Sequence, residues 1–134
     1  MPSVKTDLSG KVVGQIKLPT LDVSQYIGRK VKIESYEEYE NVFKGQKSFS
    51  VKFTTTPVAI LEDIQGDDGK PLELRASRFV GLQTDVDGNI GWGPETKMGL
   101  LLQKHGAKHY RDLVGKEVIV QIRQNKDGQE FLTF

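Results

Sequence analysis

Two histidines, His105 and His109, stand four residues apart, the spacing at which a continuous helix could present both imidazoles to a zinc ion. Gly106 lies between them and is expected to end the helix, and no glutamate follows His105, so the metalloprotease pattern fails. His105 is therefore expected at the edge of a helix core and His109 in a loop. The run Asp85-Val86-Asp87-Gly88-Asn89 invites a calcium reading, but an EF-hand loop needs glycine at position six and glutamate at position twelve. Counted from Asp85, Gly88 falls at four and Thr96 at twelve, so the run reads as a hairpin turn. The turn from Gln65 to Lys70 lacks the Gly-Lys-Ser/Thr ending of a phosphate loop. Glu37, Glu38 and Glu40 are expected in a solvated strand tip and loop. The chain has no cysteine and no Gly-x-Ser-x-Gly elbow. No catalytic constellation, metal site or cofactor is expected from these residues.

A different chemistry is open to the cations and aromatics. Binding of single-stranded nucleic acid needs cations that follow the phosphate backbone and exposed rings on which bases stack. Lys30, Lys32, Tyr36, Lys52, Arg75, Phe79 and Trp92 are the expected outward set. Lys30, Lys32, Lys52 and Arg75 would neutralise phosphates. Phe79 and Trp92 would stack bases if exposed; packed inward, Phe79 would sit under the helix and Trp92 would close over it. Three or four phosphate contacts imply a salt slope of about −2 to −3 on single strands. Tyr36, Tyr39 and Phe43 could form a second aromatic loop, but the three neighbouring glutamates would repel phosphate.

These side chains need a scaffold, and length and charge bound it. The chain has 134 residues, enough for one domain that buries about two-thirds of its unfolded surface without a metal or disulfide. Nineteen basic residues against 18 acidic give a net charge of +1, so any basic surface must come from segregation of charge. No apolar run approaches the roughly 18 residues of a membrane span, and the first residues carry no apolar signal core. A cytoplasmic protein that does not enter a membrane is expected.

Residues 1–10 read as a flexible tail and residues 11–134 as a single domain. Val12 to Leu18 could form an edge strand stopped by Pro19. The first clear strand is Gly28–Tyr36, with Val31, Ile33 and Ser35 inward and Lys30, Lys32, Glu34 and Tyr36 outward. Its approach, Ile27-Gly28-Arg29-Lys30-Val31, is echoed by Val114-Gly115-Lys116-Glu117-Val118, which suggests two strands reached through the same kind of tight turn. Phe49–Thr55 is the second strand, with Phe49, Val51 and Phe53 inward, and Pro57 ends it. Val58–Leu61 follows as an extended link. The third strand starts at Leu72, with Leu72, Leu74 and Ala76 inward and Arg78 at a bend. Pro94 is placed in the first helical turn, and Met98, Leu101, Leu102 and His105 share one apolar face before Gly106. Val118–Ile122 is the fourth strand, and Phe131–Phe134 closes the chain.

This order predicts an all-β fold: a five-stranded OB-like Greek-key barrel with one short helix between strands three and four. Leu18-Pro19, Tyr26-Ile27-Gly28-Arg29-Lys30, Leu74-Arg75-Ala76-Ser77, Gly88-Asn89-Ile90-Gly91-Trp92-Gly93, Val114-Gly115-Lys116 and Glu130-Phe131-Leu132-Thr133-Phe134 together resemble small OB-fold nucleic-acid-binding domains of archaeal or phage type. The resemblance is one of architecture and spans residues 25–134. It implies a non-enzymatic protein that binds single-stranded DNA or RNA with little sequence preference. The alternative is an interaction or accessory subunit that docks a protein partner or a second copy. The near-neutral charge favours that alternative, with Val58–Leu61 or the terminal strand as an exposed edge.

Overall fold

The computed structural model describes residues 22–66 and 68–134. The proposed N-terminal tail and the Val12–Leu18 strand lie outside the described residues. The fold is all-β with one α-helix. Strands β1 (Lys30–Phe43), β2 (Gln46–Gln65) and β3 (Pro71–Gly81) form an antiparallel meander. A short ribbon of β4 (Gln83–Thr84) and β5 (Ile90–Gly91) precedes helix α1 (Lys97–His105). Strand β6 (Glu117–Ile119) then pairs with β1, giving the sheet order β3-β2-β1-β6. Strands β7 (Gln121–Gln124) and β8 (Glu130–Thr133) form a closing hairpin. Strand β8 lies against β3, but no ladder joins them, so the sheets do not close into a barrel. The five expected strands become eight. The expected fourth strand breaks at Val120, where the chain leaves β1 and turns to β8.

One face of the sheet carries the core. Val31, Ile33, Val51, Phe53, Ala76 and Val80 are buried there, as period-two alternation requires. Met98, Leu101 and Leu102 from α1 cover this face, with Leu113, Val118, Val120 and Leu132 completing the core. Helix α1 begins one turn later than expected. Thr96 is its N-cap, accepting a hydrogen bond from Gly99 N, and Pro94 stands outside the helix. Gly106 ends it in the left-handed region, at φ 64°, with the Ala107 N–H donating to Leu102 O.

The two echoed segments are structurally equivalent. Each follows a 3-10 turn, Ser24–Tyr26 or Tyr110–Leu113, and each passes through a positive-φ glycine: Gly28 at 88° and Gly115 at 90°. They clasp one another. Gly28 N donates to Val120 O at 2.9 Å and Val120 N returns a bond to Arg29 O at 2.9 Å. On the other side, Gly115 N donates to Ile33 O at 2.7 Å and Ile33 N donates to Lys116 O at 3.0 Å.

Several strand boundaries differ from expectation. Glu37–Phe43 is strand rather than loop, because the β1–β2 hairpin continues to a two-residue turn. Lys44 and Gly45 both take positive φ there, 51° and 76°, the type I′ geometry that matches strand twist. Pro57 does not end β2. It sits in an irregular stretch where the register with β3 shifts between Thr54 and Ala59, and β2 then runs on through Val58–Leu61. That segment is therefore paired with β3 and is not a free edge, whereas the terminal strand pairs only with β7 while burying Leu132 and Thr133. Arg78 marks no bend. It pairs with Phe53 in regular register on the inner face of β3.

Candidate nucleic-acid interface

The outer face of β1–β3 is built by strict cross-strand pairing. Glu37 on β1 faces Lys52 on β2, and Lys52 faces Phe79 on β3. Phe79 is 60% exposed on this face. The Lys52 ammonium lies 5.5 Å from the Phe79 ring centroid, within cation–π range. The Tyr39 ring, one alternation further along β1, lies 5.6 Å from Phe79 at an interplanar angle of 51°. The Tyr39 hydroxyl donates to Glu37 Oε2 at 2.5 Å, and this bond to a carboxylate raises the phenol above its ordinary pKa. Alternation carries Asn41 and Phe43 onto the same side. Phe43 is 73% exposed at the hairpin tip, with the Lys44 ammonium 5.4 Å from its ring. Phe79, Tyr39 and Phe43 thus share one face of the meander, flanked by Lys52 and Lys44.

The same alternation disposes of the acidic objection to this patch. Glu38 and Glu40 point to the opposite face, where Glu38 lies near Tyr110 and Glu40 pairs with Lys47 at 3.3 Å. Only Glu37 remains beside the aromatics. Tyr39, Phe43 and Lys44 are the residues sequence reasoning passed over. The available signal was the uninterrupted Tyr39/Asn41/Phe43 alternation leading into Lys44-Gly45.

The seven expected site residues do not form one surface. Lys52 and Phe79 are together. Lys30 and Lys32 are exposed on the outer side but at the other end of β1, opposite Ile119 and Glu117 of β6. Tyr36 is a correction. A bulge between Ile33 and Ser35 shifts the phase of β1 by one residue, so Tyr36 pairs with buried Phe53 and faces inward. It meets Tyr110 edge-on at 5.4 Å. Trp92 belongs to the same inner group, edge-on to His109 at 5.3 Å and to Tyr110 at 5.9 Å. A groove of ≈ 190 Å³ runs past Trp92, Tyr110, Phe49 and Leu82. Burial and the adjacent Glu38 carboxylate raise the Tyr110 phenol above its ordinary value. His109 is not a partner for His105: Gly106 separates them, and its Nδ1 accepts from Arg111 N at 3.2 Å.

Arg75 is half-buried and already engaged. Its guanidinium pairs with Glu34, lies 2.8 Å from Glu73 Oε2, and donates to Thr55 O at 3.0 Å. This carbonyl lies at the shift of register around Pro57. There the Ala76 N–H bonds to Thr55 Oγ1 instead of a main-chain oxygen. Arg29 acts similarly on the next turn of the bulged strand, donating to Val58 O at 3.0 Å. Both arginines hold main-chain carbonyls of the bulged segment. Asp85 is occupied in the same local way. Its carboxylate accepts from the N–H groups of Asp87 and Asn89 and from the Asn89 amide, which lower its pKa. No helix among the described residues is long and apolar enough to cross a membrane.

The chain matches no family model, no curated protein and no solved structure.

Proposed function

We propose that this chain is an OB-like module that binds single-stranded DNA or RNA, with little sequence preference and no catalysis, on the outer face of β1–β3. The fold part of the reading is supported by the neighbour relations. β1 lies between β2 and β6, β7 pairs with β8, β8 lies against β3, and α1 comes between β3 and β6. That is the neighbour cycle of an OB barrel with its last ladder missing, and OB barrels are often partly open. Their oligonucleotide sites use the face of the second and third strands with the first hairpin loop.

The observation that carries the binding reading is the Phe79–Tyr39 pair, Phe79 exposed and Tyr39 half-buried, with Lys52 over Phe79, in line with Phe43 and Lys44 at the hairpin tip. Rings offer sequence-tolerant stacking worth about 1–3 kcal/mol per base. Two flanking lysines give a salt slope of about −1.4, shallower than four free cations would. Binding should therefore be weak and dominated by stacking.

The test is fluorescence anisotropy of a labelled oligo-dT at low and moderate salt. Saturable binding is expected, weakened about 5- to 150-fold by Phe79→Ala. Trp92 fluorescence should stay nearly constant, because Trp92 lies on the other face. Absence of binding at low salt, or full affinity in both Phe79→Ala and Tyr39→Ala, refutes the proposal. A second reading, docking of a protein partner or a second copy, is favoured by one observation: Val42 and Phe43 are 64% and 73% exposed at the tip, one on each face of the hairpin. Concentration-dependent association that Phe43→Ser abolishes would select it.

A further inference from the structure

The inner face of the β1–β2 hairpin carries a groove whose chemistry is opposite to that of the outer face. Three separate stretches of chain build it. The bulge in β1 turns Glu38 inward, across from buried Val51. Trp92 follows β5, and His109 caps the 3-10 turn that Tyr110 begins. The His109 ring is fixed there, because its Nδ1 accepts from Arg111 N at 3.2 Å. These residues, with Phe49, line a cavity of ≈ 190 Å³. Rings dominate the lining. Glu38 is its one carboxylate, and among the described residues no lysine or arginine lines it.

The rings are set at steep angles. Trp92 stands at 81° to His109 and 67° to Tyr110, with centroids 5.3 and 5.9 Å away. Rings that meet near a right angle wall a corner. A flat base needs a slot between parallel faces, whereas a rounded cation fits a corner, where more than one ring can reach it. Glu38 supplies the complementary charge. Burial and that carboxylate raise the Tyr110 phenol above its ordinary value, so it stands as a neutral hydroxyl beside Glu38; Arg111 acts in the opposite sense but less strongly. Glu40, on the same face, is paired with Lys47 at 3.3 Å. The groove therefore repels phosphate and attracts a cation.

We infer that the groove between Trp92, His109 and Tyr110, with Glu38 in its wall, binds a methylated ammonium group. A bare ammonium is strongly hydrated and would lose hydrogen bonds that rings cannot replace. Methyl groups remove those donors, spread the charge over an apolar surface and meet the ring faces directly. Two sources share this chemistry: a free quaternary amine such as choline and a trimethylated lysine side chain. The site is independent of the outer-face reading, since Glu38 and Phe79 lie on opposite faces of the sheet.

The test is a titration of the full chain with choline chloride, read by Trp92 emission and by the His109 ring signals in NMR, with ionic strength held constant by sodium chloride. The uncharged tert-butyl isostere of choline, which has its shape without its charge, is the control. Saturable changes in both signals are expected with choline and none with the isostere, while the His105 ring signals stay still. Glu38→Gln removes an exposed charge and should weaken choline binding about tenfold without loss of fold. Phe79→Ala, on the other face, should leave the choline response unchanged, so the groove and the outer interface stand or fall separately. A short peptide carrying trimethyl-lysine that acts at lower concentration than choline assigns the site to a protein side chain. Equal or weaker action of that peptide assigns it to a free amine. The inference is overturned if the isostere acts like choline, if the unmethylated peptide acts like the methylated one, if Glu38→Gln responds like the parent protein, or if neither choline nor the methylated peptide has any effect.

Discussion

Gly99 gives the sharpest test of the packing described above, because two simple arguments about it have opposite signs. It is a glycine inside α1, and helix propensity alone says that Gly99→Ala should stabilise by about 1 kcal/mol. The structure says otherwise. A Cβ at Gly99 would lie 2.2 Å from Gly93 O and 3.0 Å from both Cα and C of Pro94. These are main-chain atoms, not the free end of a side chain, so the Gly93–Pro94 turn must move. That turn is held by Thr96, whose hydroxyl donates to Gly93 O at 2.7 Å while accepting from Gly99 N at 3.2 Å, and by the Gln103 amide on Pro94 O at 3.0 Å. Overpacking costs about 1–3 kcal/mol, and weakening the cap adds about 1 kcal/mol. Set against the propensity gain, Gly99→Ala should destabilise by about 1–3 kcal/mol, a fall in Tm of about 4–12 °C for a chain of this size. Thermal and urea unfolding, followed by far-UV circular dichroism and by Trp92 emission, measure it. Trp92 precedes the displaced turn, so its emission should also change in the folded state. Gly106→Ala is the reference: its φ is 64° with no atom within 4 Å of a built Cβ, so only the left-handed penalty of about 1–2 kcal/mol applies. A Tm for Gly99→Ala equal to or above that of the parent would refute the steric argument.

Three further outcomes follow from the site geometry. Arg75→Ala should lower stability by about 1–2 kcal/mol, since it orphans Thr55 O at the bulge, yet leave oligonucleotide affinity within about twofold; anisotropy and urea melts on one sample separate the two effects. Because His105 titrates below its unfolded value of 6.5, the unfolded chain takes up its proton first. The His105 contribution is thus complete above pH 6.5 and is lost as pH falls below it, so Tm measured from pH 7.5 to 5.5 should decline less steeply in His105→Gln. Finally, Tyr36→Ala should perturb Trp92 emission and stability through the ring cluster on the inner face, and should leave nucleic-acid binding unchanged.

How much of this was legible in the residues depends on what local periodicity can encode. Val31, Ile33, Val51 and Phe53 alternate cleanly, and all four are buried. The Met98/Leu101/Leu102 stripe and Gly106 placed the helix, and the echoed glycines placed both tight turns. The failures have one physical origin, which is phase. A single extra residue between Ile33 and Ser35 moves every later side chain of β1 to the other face. Nothing in the run Glu34-Ser35-Tyr36-Glu37 announces it, because none of these side chains is strongly apolar or barred from either face. Simple alternation therefore puts Tyr36 on the wrong face, and it sets Glu38 and Glu40 beside Tyr39 and Phe43. Arg75 misleads for a related reason. An outward arginine on a strand reads as a free cation, and only the irregular pairing around Pro57 reveals a carbonyl that needs it. Strand length was underestimated wherever ladder pairing, not burial, sustains the strand, as in the exposed end of the β1–β2 hairpin.

The clasp between the two glycine turns bears on the order in which the chain folds. Strands β1, β2 and β3 meet through short connections and can zip up early. The bonds from Gly28 to Val120 and from Gly115 to Ile33 instead join segments separated by most of the described chain. They can form only after the entropy of that long loop has been overcome. Whether the clasp is fastened before or after the rate-limiting barrier is read from unfolding and refolding rates, and a late clasp makes a definite prediction. Destabilising it with Gly115→Ala, whose φ of 90° disfavours any side chain, should hasten unfolding and leave the refolding arm of a chevron plot nearly unmoved. On this view the paired turns govern how long the folded molecule lasts rather than how quickly it is made.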